Sequence, residues 1–98
     1  MARMSSALIV QRLAGADSVA AVVTIARNFV SEWNRAERAR LPENCRPDDI
    51  GNAEDVAWWA DTFGTEYASG ELVSPELQEM YDVFQCAAGR LREIQGHG

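Results

Sequence analysis

The chain has 98 residues, 47% of them hydrophobic and 24% charged, with a net charge of −6. This is the composition of one small globular domain, residues 1–98, and excludes a disordered chain. No apolar run approaches the roughly 20 residues of a membrane span, and the acidic balance disfavours direct contact with nucleic-acid phosphates.

The first segment, MARMSSALIVQRLAGADS, has an apolar patch at Leu8, Ile9 and Val10. It is too short for the core of a signal peptide, and Arg12 interrupts the apolar run two residues later, so a cytoplasmic location is expected by default. Leu8-Ile9-Val10 would suit a strand as well as a helix. With no partner strand elsewhere in the chain, a short helix capped by Ser5 or Ser6 is favoured. Residues 1–6 and 96–98 are expected to fray.

After a break at Gly15-Ala16, Asp17 or Ser18 caps a long helix reaching about Arg40. Its stripe is Val19, Val22, Val23, Ala26, Phe29, Val30 and Trp33, at helical spacing. Arg35, Arg38 and Arg40 complement the negative end of the helix dipole, and Pro42 ends the helix. PENCRPDDIGN, residues 42–52, has the turn chemistry of a loop.

Asn52 is an N-cap, followed by Glu54 and Asp55 in a first helical turn. This third helix ends near Phe63, or at Ser69 if Gly64 lies inside it, with Gly64 or Gly70 as the left-handed terminator. Ser74-Pro75-Glu76 opens the last helix as cap, N1 proline and acid. Its stripe is Leu77, Met80, Tyr81, Phe84, Ala87, Ala88 and Leu91, closed by Arg90 and Arg92. Short connections and continuous stripes predict an all-α fold. It is a small antiparallel helical bundle of three main helices plus a short N-terminal helix.

The adjacent Trp58 and Trp59 cannot both face one core. On a helical wheel Val56, Ala60, Phe63 and Tyr67 share a stripe with Trp59 on its flank. Trp58 falls about 200° from Val56, beside Glu54, Asp61, Thr62 and Thr65. An indole on a polar face is a frequent interface anchor. The competing reading is that the N-terminal segment or the 42–52 loop covers it. The expected partner-binding set is therefore Trp58, Thr62, Asp61, Thr65 and Glu54. Leu8, Ile9 and Val10 offer a surface for self-association.

Charge is unevenly spread. Residues 1–42 carry six Arg against three acids, residues 43–82 carry eleven acids against Arg46 alone, and residues 83–98 carry two Arg against Glu93. An acidic segment favours a basic partner surface, or serves only for solubility. All nine basic residues are arginine and alanine is abundant, as in a GC-rich bacterial or phage genome.

Signals for catalysis are weak. The one histidine, His97, lies in the tail. The acid pairs Asp48-Asp49 and Glu54-Asp55 are adjacent and diverge in space. GNAED and GTEYASG lack the lysine and spacing of a phosphate loop. Cys45 and Cys86 fit no zinc-ligand spacing, and a disulfide is not expected in a reducing compartment. The helix opening at residue 53 lacks the basic and amide side chains of a recognition helix. No catalytic residue, metal or cofactor is therefore assigned. The expected function is a non-enzymatic acidic regulator or inhibitor, antiactivator-like. It would cover a surface of a larger protein partner, itself a candidate nucleic-acid binder. The alternative is a structural homodimer or a subunit of a larger assembly.

Overall fold

The computed structural model describes residues 5–37, 41, 46–47, 50–70 and 74–96. They form four helices, α1 Ser6–Ala14, α2 Val19–Glu37, α3 Ala53–Ser69 and α4 Pro75–Gly96, with no strand among the described residues. The fold is an all-α helical bundle. The Leu8-Ile9-Val10 segment is helical, as the lack of a partner strand requires.

Each helix starts on a capping side chain that satisfies an otherwise unpaired backbone N–H. The Ser5 Oγ accepts from Leu8 N at 3.3 Å and the Ser18 Oγ from Ala21 N at 3.1 Å. The Asn52 Oδ1 accepts from Asp55 N at 3.0 Å and the Ser74 Oγ from Leu77 N at 3.1 Å. Ser5 is the cap of α1 and Ser6 its first helical residue. Gly64 is helical, and α3 ends one turn and a half later on Gly70, whose φ of 70° no L-residue adopts cheaply. Arg38, Arg40, Pro42 and Cys45 lie outside the described residues.

α4 is the central element and packs against each of the other three, most extensively against α3. Contacts between these two descend in register: Ala60 with Gln85, Phe63 with Phe84, Tyr67 with Tyr81. The pair is therefore an antiparallel hairpin. α1 instead runs in the same direction as α4, since Val10 meets Cys86 and Ala16 meets Arg90. A nine-residue helix is not stable alone in water; burial of Ile9 and Leu13 holds α1 in place. Arg90 adds a fastening, its Nε donating to the Ala16 carbonyl at 2.7 Å.

The core is apolar throughout, centred on Trp33, Phe29, Phe63 and Phe84. Among the described residues no polar or charged side chain is fully buried. The connection between α2 and α3 contributes two anchors, Leu41 and Ile50, both sunk into this core. It is tied down by Asn34 Nδ2 donating to the Pro47 carbonyl at 3.0 Å and Arg46 Nε donating to the Leu41 carbonyl at 2.8 Å. No helix among the described residues is long and apolar enough to cross a membrane.

Candidate functional site

α3 divides into two faces. Val56, Ala60 and Phe63 are buried, and Trp59 is half-buried against the core. Trp58 stands on the opposite side and is 59% exposed, the most exposed large hydrophobic side chain among the described residues. Of the segments expected to cover it, residues 1–4, 42–45 and 48–49 lie outside the described residues, and the described ones leave it exposed.

The exposed indole rests on a second ring. Trp58 meets Trp59 in a T-shaped contact, Trp59 lies 5.7 Å from Phe63, and Phe63 lies 5.5 Å from Phe84. This chain of rings runs from the surface to the bundle centre. It restricts the rotamers of Trp58, so a partner has less side-chain entropy to remove on docking.

The rim around Trp58 differs from the sequence expectation in detail. Glu54, Asp61 and Thr65 are exposed and Thr62 is half-buried, so the five expected residues share one face. The threonine hydroxyls are turned inward along their own helix. Thr62 Oγ1 donates to the Trp58 carbonyl at 2.9 Å, and Thr65 Oγ1 to the Asp61 carbonyl at 3.0 Å. Such bonds leave the hydroxyl oxygens able only to accept. Asp55 faces the helix start, its Oδ2 accepting from Gly51 N at 2.9 Å. The carboxylates of the rim are therefore those of Glu54 and Asp61.

Charge reinforces the pattern over a wider area. No lysine or arginine occurs between Arg46 and Arg90, so the α3–α4 hairpin carries Glu54, Asp55, Asp61, Glu66, Glu76, Glu79 and Asp82 without a basic residue until the last turns of α4.

Three expectations are corrected. The wheel puts Tyr67 on the core stripe; it is 41% exposed and stacks on Tyr81, ring centroids 4.3 Å apart and planes 13° from parallel. The stripe has passed its last buried residue, Phe63, and the ring lies on α4 instead of entering the core. Tyr81, expected in the core, is correspondingly half-buried. The self-association surface at Leu8, Ile9 and Val10 largely disappears. Ile9 is buried, Val10 packs partly against the core, and only Leu8 remains exposed.

Cys86 carries a free, half-buried thiol, with its Sγ 3.8 Å from the Val10 carbonyl. Burial, and secondarily the Glu93 carboxylate, push its pKa above the ordinary thiol range, the opposite of an activated nucleophile. Among the described residues no group of three or more His, Cys, Asp or Glu could hold a metal ion; Cys45 and His97 lie outside them. One feature has no counterpart in the sequence pattern: a cleft between α1 and α2, of about 260 Å³.

Comparison with family models, with curated proteins and with solved structures finds no match for this chain.

Proposed function

We propose that the protein is a non-enzymatic regulator that docks the outer face of α3 onto a basic surface of a larger protein and blocks it. The observation that carries this reading is Trp58: an indole 59% exposed, braced from beneath by Trp59 and flanked by Glu54 and Asp61. Desolvating the ring supplies affinity, while the carboxylates select partner and orientation. A nucleic-acid-binding protein presents a positive surface of the required kind.

Charge favours a foreign partner over a symmetric pair. A two-fold interface sets the same patch against itself. Here that would oppose Glu54 and Asp61 of α3 to their own copies with no cation on that helix, and juxtaposed like charges disfavour association.

The test is affinity capture with the intact chain, comparing wild type, Trp58→Ala and Glu54→Arg/Asp61→Arg. All three should give the same circular dichroism. A partner retained by wild type, lost in both variants and released by salt is the expected result. Self-association alone, or a partner held equally by all three, would refute the proposal.

A further inference from the structure

α1 leans on α4 and touches α2 less extensively. The resulting cleft brings Arg12 of α1 together with Ile25, Asn28, Ser31, Glu32 and Arg35 of α2. Arg12 and Arg35 are exposed, and neither is in an ion pair or hydrogen bond with a described residue; the same is true of Glu32. Three charged side chains therefore border one small cavity without a direct ion pair among the described residues.

We infer that this cleft binds a small acidic amino-carboxylate, a molecule with two anionic groups and one amine. The reasons are its charge pattern, its size and its lining. Arg12 and Arg35 both line the cleft, and a carboxylate bound there meets two like positive charges. Guanidinium forks also match carboxylates geometrically, with two parallel hydrogen bonds each. Glu32 works against a ligand that is purely anionic and favours one carrying an ammonium group. The Asn28 amide and Ser31 hydroxyl supply neutral hydrogen bonds, and the half-buried Ile25 supplies an apolar contact. At about 260 Å³ the cavity lies below the roughly 300–1,000 Å³ of drug-sized pockets, which suits a ligand of amino-acid size. The cleft lies between α1 and α2, whereas Trp58 is on α3, so the inference stands independently of the docking reading.

An NMR titration of the intact, isotope-labelled chain with L-glutamate and with succinate tests this. L-glutamate is expected to give saturable shifts at the Asn28 side-chain amide and the Ser31 N–H, with succinate weaker. Arg12→Ala and Arg35→Ala should each weaken L-glutamate binding about tenfold or more. Both arginines are exposed and unpaired, so the fold should survive, and spectral dispersion reports that directly. Glu32→Gln should reverse the preference, so that succinate binds better than L-glutamate. Trp58→Ala should leave the titration unchanged. Absence of saturable shifts, shifts reproduced by sodium chloride at equal ionic strength, shifts that persist in the Arg12→Ala/Arg35→Ala double variant, or an unchanged preference in Glu32→Gln would each overturn the proposal.

Discussion

The indole of Trp58 stands edge-on to that of Trp59, ring centroids 4.7 Å apart and planes at 87°. This places the positive edge of one ring against the negative face of the other, the geometry aromatic pairs prefer. It also separates two roles that adjacent positions on a helix cannot share: Trp59 rests on the core, and Trp58 uses Trp59 as its support. Replacing Trp58 by alanine should therefore lower stability by about 0.5–1.5 kcal/mol, the scale of the lost ring contact. Phe63→Ala, deeper in the same chain of rings, should cost about 3–5 kcal/mol. Urea denaturation of the two variants checks this; comparable losses would mean that Trp58 is structural after all.

Association through α3 should respond to salt. Exposed charges interact across a Debye length of about 10 Å at 0.1 M ionic strength and about 3 Å at 1 M. The association rate with a basic partner should thus fall steeply as sodium chloride rises, while dissociation changes less. Surface plasmon resonance across a salt series separates the two rates. An association rate indifferent to salt would leave the indole without electrostatic guidance.

Two glycines inside α3 and α4, and the one that caps α3, should give three different results on conversion to alanine. At Gly89 an added Cβ meets nothing closer than the Arg92 guanidinium at 3.9 Å, so Gly89→Ala should stabilise by about 0.5–1 kcal/mol. At Gly64 the new methyl would sit 3.3 Å from the Gln85 amide, which itself donates to the Ala60 carbonyl at 2.7 Å. The amide must shift, and the helix-propensity gain should be largely offset. Gly70→Ala should destabilise by about 1–2 kcal/mol, because its backbone is left-handed. Thermal or urea unfolding of the three variants should rank them in that order.

The Cys86 thiol should be slow to alkylate in the folded protein and ordinary in the unfolded one. Burial and Glu93 favour its neutral form. As pH rises, the unfolded chain therefore gives up the thiol proton first. The associated stability is fully present below the unfolded thiol range, near about pH 8.5, and is lost as pH climbs through the higher folded value. Glu93→Gln should bring the folded value down and speed alkylation. Iodoacetamide kinetics as a function of pH would show both effects, and a native thiol reacting as fast as a free one would contradict them.

The helices and caps were legible from residues alone because their signals are local. Ser74-Pro75-Glu76 and Asn52 with Asp55 favour a helix start through backbone groups only two or three residues away, and the 3.6-residue stripes report which side must be covered. Leu41 and Ile50 were not legible as core. They sit among proline, asparagine and aspartate, where no periodicity exists to flag them, yet both are buried. Only the closing of the connection over the bundle decides that. Ile50→Ala should accordingly destabilise by about 2–5 kcal/mol, measured by urea titration, as few loop substitutions do. Tyr67 departs from its stripe for the converse reason: the wheel gives direction but not how far along α3 the core extends. The Trp58 face was legible because direction alone determines it. The α1–α2 cleft depends on how far two helices splay, a tertiary quantity with no trace in either helix.

The two faces of α3 answer to different constraints. Val56, Ala60 and Phe63 are held by volume, since any change there is felt by Phe84 and the rest of the bundle. Glu54, Asp61 and Thr65 are exposed, and the Thr65 hydroxyl bonds only within its own helix. Those positions can be rewritten with little effect on folding. A library randomised at them and at Trp58, selected against a chosen protein, would vary recognition while the scaffold stayed the same. Drift along the outer face would likewise change the partner of such a protein sooner than its shape.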